Sequence, residues 1–402
     1  MDRELRARFN RLWTPELYRR VLGDLERQLG GPVPFRVAET PLLLPADTFD
    51  RFALAAREIV AQLSRPDYLA AQETAVPPAY RSPRRSALPQ FAQVDFAVVQ
   101  GEDGTLQPRC VELQGFPSLY CFQMLLTDIW ATHLADLPGR GRGWRVFFSG
   151  LDRYRAFQLL RRAIVGDHDP HEVVLLDLDP AHQKTYPDFA ATRHWFGVEP
   201  VCPTTIRREG SKLFRLREGR KVPVRRFYQR VVFDELERTG TRLPFAFSED
   251  LEVEIAPQPD WYYLWSKNSL LSLDHPAVPR TTRVSDLARL PDDLSQYVLK
   301  PLYSFAGGGV NVDPSAADVE AIPGAQRKDW ILQEKVEYHP GLVTPQAHKV
   351  RGEVRMMFVR PDDDDAMTLL FSLVRLSRGK MIGVNFNRDL DWVGASIALW
   401  PD

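Results

Sequence analysis

Asp95, Glu112 and Gln114 lie in two short apolar segments, VDFAVV (94–99) and PRCVELQ (108–114), on either side of Gly101-Glu102-Asp103-Gly104. Asp-Gly between apolar runs predicts a β-hairpin. Alternation along a strand puts Glu112 and Gln114 on one face. Two carboxylates ~4 Å apart repel by ~4 kcal/mol at an effective dielectric of about 20. Asp95 and Glu112 on neighbouring strands therefore want a cation, a proton or an arginine. Mg2+ takes hard oxygen ligands, commonly one or two carboxylates together with phosphate oxygens. The competing reading is a surface hairpin with solvated acids.

A second chemical signal is YVLKPLYSFAGGGV (297–310). Lys300 ends an apolar run, Pro301 follows, and Gly307, Gly308 and Gly309 come next. Glycines let a backbone fold over an anion with its N–H groups facing phosphate oxygens, and the lysine supplies a point charge. The G-x-x-x-x-G-K-[ST] spacing of a Walker loop is missing. Lys267 stands in the aromatic stretch WYYLWSKNSLL (261–271), where a lysine snorkelling from a cluster is the plainer reading. WILQEKVE (330–337) predicts a strand whose backbone around Gln333, Glu334, Lys335, Val336 and Glu337 offers C=O and N–H groups to an adenine edge.

Around these residues the periodicities predict helices over 14–29, 47–63 and 119–136, with a Pro-, Arg- and Ser-rich loop over 75–92. From 144 the pattern alternates: WRVFFSG, a helix to Gly166, VVLLDLD (173–179), a helix to Gly197, and VEPVCPTTI (198–206). This predicts a small, mostly parallel Rossmann-like sheet, although no G-x-G-x-x-G follows its first strand. Residues 211–236 add a strand pair. The last third, from WYYLWSKNSLL through GEVRMMFV (352–359), MTLLFSLVRLS (367–377) and KMIGVNF (380–386), reads as strands and turns of an antiparallel α+β region.

The 402 residues allow two or three domains. Lys+Arg 52 against Asp+Glu 53 gives a net charge of −1, which argues against nucleic acid as the main partner. Three cysteines, Cys110, Cys121 and Cys202, give neither a disulfide framework nor a metal motif and fit a reducing compartment. The start lacks the apolar core of a signal peptide, and no run has the ~20 apolar residues of a membrane span. The expectation is a cytoplasmic protein with no membrane partner.

Taken together, Lys267, Lys300 with its glycine loop, and an apolar strand ending Gln333-Glu334-Lys335-Val336 resemble the ATP-grasp superfamily. The resemblance implies that ATP is bound by the two lysines, the loop Gly307–Gly309 and the 333–336 backbone, with Glu337 on the ribose. It maps Glu353, Arg355, Arg375, Asn387 and Arg388 near the transferred phosphate, with Arg355, Arg375 and Asn387 as catalytic. The family's metal-binding hairpin, expected after these strands, is similar instead to residues 94–119. There Asp95, Glu112 and Gln114 take the Mg2+ positions and Phe116-Pro117-Ser118 the turn. Gln114 stands where the family has Asn, and NFNR (385–388) is a loose match.

The implied arrangement is a circularly permuted ATP-grasp fold, similar to the synthetase part of glutathionylspermidine synthetase. Its parts are a helical region 1–80, a permuted hairpin and helix 81–143, and a Rossmann-like domain 144–250, which RRFYQRVVFDEL (225–236) is expected to close. An ATP-binding lobe 251–340 and the remaining lobe 341–402 follow. The implied function is a carboxylate–amine ligase acting through an acyl-phosphate on small-molecule substrates. Arg81, Arg84 or Arg85 is a candidate for the substrate carboxylate, though a solubilising loop fits these residues as well. A phosphotransferase acting on a hydroxyl group, or a nucleotide-binding protein without catalysis, remain open.

Overall fold

The computed structural model describes residues 1–139, 143–303, 308–379, 382, 387 and 389–402. Thr14 caps the helix Pro15–Leu29 by accepting from the Leu17 N–H at 3.1 Å, and Gly30 ends it at φ +74°. That left-handed turn costs glycine no Cβ clash. The helix Ala46–Leu63 buries Phe49, Phe52, Ala56, Ile59 and Leu63 at helical spacing. A further helix, Arg3–Leu12, was not foreseen, because only Leu5 and Phe9 carry its apolar face. The segment between Pro15–Leu29 and Ala46–Leu63 runs along the C-terminal strands: Leu42–Leu43 pairs in parallel with Ala398–Leu399, and Ala38 N–H donates to Ala395 O at 2.8 Å. The N-terminal helices thus share one core with the rest of the chain, through contacts such as Phe52 on Phe96 and Phe49 on Trp400.

Among the described residues the strands form five sheets, none closed into a barrel, in a mixed α+β fold. The largest is antiparallel, in the order Gly394–Ser396, Thr368–Ser377, Lys349–Val359, Phe91–Gln100, Leu106–Gln114. The hairpin expected at 94–114 is therefore present and slightly longer, and it lies beside Lys349–Val359. Val94, Phe96 and Val98 fill the core on one side, and each such buried side chain contributes about 1.5–3 kcal/mol. The opposite side is polar and forms the floor of the site described below.

A four-stranded parallel sheet has the order Glu254–Ala256, Arg226–Gln229, Val173–Leu176, Glu199–Val201. The run Val173–Leu176 is buried throughout, as parallel strands covered on both faces are. Two expectations are corrected here. WRVFFSG is not part of this sheet: Trp144–Arg145 pairs with Trp400–Pro401, and Phe147 bridges to Phe371. The strand within RRFYQ is interior, since Glu254–Ala256 adds outside it.

WYYLWSKNSLL is also not a strand. It forms the helix Asp260–Leu264 and a 3-10 turn, Lys267–Leu271, opened by a Ser266–Ser269 capping box. Its aromatic rings favoured a strand reading, but Trp261 and Trp265 stack edge to face within one buried cluster. A three-stranded antiparallel sheet, Thr281–Arg283, Trp330–Glu334 and Tyr297–Pro301, faces the floor of the large sheet. No described helix is long and apolar enough to cross a membrane.

Candidate functional site

Antiparallel register decides what meets on the polar side of the large sheet. Asp95 is opposite Glu112 on one neighbour and Arg355 on the other; Glu353 is opposite Arg375; Gln93 is opposite Gln114. Residues paired in this way point to the same face. Each of these three carboxylates meets a cation. Asp95, 1% exposed, accepts from Arg355 Nε at 2.6 Å and Nη2 at 2.7 Å, and also from Arg375. Arg375 further donates to Glu353, whose other oxygen accepts from the Tyr338 hydroxyl at 2.8 Å. Glu112 pairs instead with Lys267, Nζ to Oε1 at 3.1 Å.

A bulge sets the last cation. The ladder shifts register between Asp95 and Phe96, which pair with Glu112 and Cys110, so Val111 has no opposite residue. A bulge of this kind re-aims the backbone, and the Val111 carbonyl accepts from Lys300 Nζ at 2.9 Å. Lys300 also donates to Gln333 Oε1 at 2.6 Å. Lys267 and Lys300, from segments remote from the hairpin in sequence, thus converge on two adjacent residues, Val111 and Glu112.

The turn that follows, Gly115-Phe116-Pro117-Ser118, is held from several sides. Gly115 N–H donates to Trp265 O at 2.7 Å, Gln114 Nε2 to Phe116 O at 3.0 Å, Gln93 Nε2 to Ser118 O at 2.9 Å, and Arg230 to Pro117 O. A Cβ on Gly115 would lie 2.6 Å from Trp261 O, so only glycine allows this approach. The helix Tyr120–His133 then starts with Leu119 at φ +64°. Asp188 accepts from the Phe122 N–H at 3.0 Å and caps that helix from a distance.

Several of these groups line one cavity of about 620 Å3. Glu112, Gln114, Lys267, Lys300, Glu353, Arg355 and Arg375 form its charged part. Val298, Leu302, Val310 and Val312 give an apolar slot, bordered by Gln333, Glu334, Lys335, Val336 and Glu337. In the slot Lys335 N–H is used by Gln296 O at 2.7 Å, and the ladder ends at Glu334.

The charges perturb one another. Burial works against the Glu112 carboxylate, but Lys267, Arg375, Arg355 and Lys300 outweigh it and draw its pKa down to about 2. Burial lowers Lys300 to about 8 despite Glu112. Burial raises the Glu353 carboxyl, and Asp95 adds to the rise against the pull of Arg375. For Arg375 burial is offset by Glu353, Asp95 and Glu112, which hold its pKa above the ordinary range.

Of the expected metal set, Glu112 and Gln114 line the cavity. Asp95 lies behind them with both oxygens held by guanidinium groups. Among the described residues no group of three His, Cys, Asp or Glu side chains is arranged for a metal. One carboxylate and one amide oxygen fit an Mg2+ that arrives with phosphate ligands of its own, not a metal caged by protein alone. Gly308 and Gly309 are exposed, and Gly309 turns at φ +72° against Pro301. Asn387 donates to Ser377 Oγ at 3.0 Å and does not line the cavity. Gly307 and Arg388 lie outside the described residues, as does nearly all of 380–386. Arg81, Arg84 and Arg85 are spent on Val76 O, Asp250 and Glu73, away from the cavity lining. Gln93 and Tyr338 were missed. Gln93 had a signal, since it is two residues from Asp95 on the same strand face.

Neither a family model nor a curated protein matches the sequence. Among solved structures, the chain is similar to a glutathione synthetase like-effector from Globodera pallida, determined in its apo form. The two share 10% identity at a TM-score of 0.57, over 96% of this chain and 99% of that one. At that identity the likeness is one of fold: this chain and the glutathione synthetase-like protein share a mixed α+β architecture along nearly their whole lengths.

Proposed function

We propose that the chain is a circularly permuted ATP-grasp enzyme, an ATP- and Mg2+-dependent carboxylate–amine ligase. The observation that carries this reading is the convergence of Lys267, Lys300 and the hairpin residues Glu112 and Gln114 on one cavity. The slot of Val298, Leu302, Val310 and Val312 has the apolar walls a flat base requires, and the chain at 333–337, where the ladder of the middle strand Trp330–Glu334 ends, borders its rim. Glu337, at the border of the slot, suits a ribose.

ATP would supply the phosphoryl group that turns a carboxylate into an acyl-phosphate, from which an amine displaces phosphate. In such a reaction the protein positions groups and neutralises charge. Lys267 and Lys300 would hold phosphate oxygens, each giving up part of its present contact with Glu112 or Val111. Glu112 and Gln114 would hold Mg2+, which neutralises phosphate charge. Arg375 lines the cavity and keeps a buried Nε with no partner among the described residues, a donor available to a developing oxyanion. Arg355 acts with it through the shared Asp95. Gly308 and Gly309 would offer N–H groups to phosphate oxygens.

ADP formation on mixing with carboxylic acids and amines tests the reading, with hydroxylamine trapping to reveal the acyl-phosphate. A phosphorylated alcohol in place of a hydroxamate would identify a phosphotransferase. Asp95, with both oxygens held by arginines, favours a second reading, a nucleotide-binding protein without catalysis; nucleotide binding with no ADP formed would select it. Glu112→Gln with unchanged Mg2+-ATP turnover would sink the ligase assignment.

A further inference from the structure

Beneath the Glu112 end of the cavity, a guanidinium and two amides form a chain whose polarity is fixed. Arg355 Nη1 donates to Gln93 Oε1 at 2.7 Å, and Gln93 Nε2 donates to Ser118 O at 2.9 Å. Gln114 Nε2 donates to the same Gln93 Oε1 at 2.7 Å and to Phe116 O at 3.0 Å. A guanidinium has only donors and a backbone carbonyl only accepts. The Gln93 atom facing Arg355 must therefore be oxygen, and the atom facing Ser118 must be nitrogen. The Gln114 atom between Gln93 Oε1 and Phe116 O must then be nitrogen as well. Turning Gln93 over would set donor against donor at Arg355, and turning Gln114 over would set acceptor against acceptor at Gln93 Oε1 and Phe116 O, each costing about 1–3 kcal/mol. Gln93 is 1% exposed and directly opposite Gln114 in the ladder. The Gln114 oxygen is the one polar atom of that amide left for the cavity, beside Glu112.

We propose that Gln93 is a positioning residue: anchored by Arg355, it holds the Gln114 amide so that its carbonyl oxygen, and not its NH2 group, is presented to the cavity. There the oxygen serves as a ligand for the Mg2+ of a bound nucleotide. The orientation stands on the hydrogen-bond chain, and the metal role rests on the nucleotide-site reading above. The longer glutamine side chain is accommodated because its nitrogen is tied back to the turn at Phe116.

Two measurements on full-length protein separate these claims, with thermal unfolding to confirm that each variant folds. In protein labelled with 15N-glutamine, the Gln114 side-chain amide signal is assigned by its loss in Gln114→Leu. Its protons should exchange with water at least tenfold more slowly than those of an exposed glutamine. Gln93→Leu should remove that protection. Gln93→Glu, which still accepts from both Arg355 and Gln114, should keep it. Protection unchanged in Gln93→Leu overturns the proposal. Calorimetric titration with ADP, with Mg2+ and then with EDTA, tests the ligand role. Gln93→Leu should weaken binding in Mg2+ about tenfold, the usual loss when an outer partner of a metal ligand is removed, and leave binding in EDTA within twofold. Equal weakening in both conditions overturns the metal role. If wild-type protein shows the exchange protection but binds no ADP in either condition, the nucleotide reading and the metal role fail together, and the amide orientation stands.

Discussion

Arg355 grips Asp95 with two nitrogens, Nε to Oδ1 at 2.6 Å and Nη2 to Oδ2 at 2.7 Å, between residues 260 positions apart in the chain. The carboxylate is 1% exposed and the guanidinium side chain 8%, so neither charge is screened by water. Removing one partner of such a pair leaves a buried charge behind, at a cost of about 3–5 kcal/mol. Asp95→Ala should lower the unfolding free energy by that amount in urea denaturation followed by circular dichroism. A loss below about 1 kcal/mol would mean that the pair is not buried as described.

Lys300 gives the site a pH dependence. Its pKa is lowered to about 8 by burial, so the free site carries this charge below pH 8 and loses it above. Affinity for a triphosphate analogue should be level from pH 6 to 7 and fall as pH rises past about 8. Lys300→Arg, charged throughout, should flatten the profile, and Lys300→Met should be weak at every pH. A wild-type profile without a break near pH 8, measured by fluorescence titration, would contradict this assignment.

Glu112 predicts an acid limb. Its pKa is depressed from 4.5 to about 2, burial being outweighed by Lys267 and three further cations. A depressed carboxyl stabilises the folded state above its unfolded pKa, and this contribution is lost as pH falls through the folded value. The stability difference between wild type and Glu112→Gln should therefore be constant above about pH 4.5 and shrink between 4.5 and 2. Thermal unfolding across that range would show it; a difference that grows on acidification would be the wrong sign.

Gly115 is where the turn after the hairpin abuts the helix Asp260–Leu264. A methyl group there would sit 2.6 Å from Trp261 O, and relieving such an overlap costs about 1–3 kcal/mol. Gly115→Ala should lower stability by that amount. It should also move the Asp260–Leu264 helix, and Lys267 with it, away from Glu112, so nucleotide affinity falls together with stability. Full nucleotide affinity in a destabilised Gly115→Ala protein would separate the turn from the site.

What the sequence by itself determined is what acts over a few residues. Thr14, Pro15 and Gly30 mark out a helix because a cap, a fixed φ and a left-handed turn act within one turn of backbone. The Asp103-Gly104 turn and the alternation of VDFAVV specify a hairpin and assign its faces. The need of Asp95 and Glu112 for a counter-charge was also legible, since like charges on neighbouring strands repel whatever the fold.

Which counter-charge each acid meets was decided only by tertiary structure. Arg355 and Arg375 reach Asp95 because Lys349–Val359 pairs with Phe91–Gln100, and Lys267 reaches Glu112 because the 261–271 segment folds as a helix against Gly115. Sheet order, the Val111 bulge and the remote cap from Asp188 depend on which surfaces exclude water together. Local periodicity carries no record of that: a strand's pattern says which face is buried, and the packed core decides which strand it is buried against.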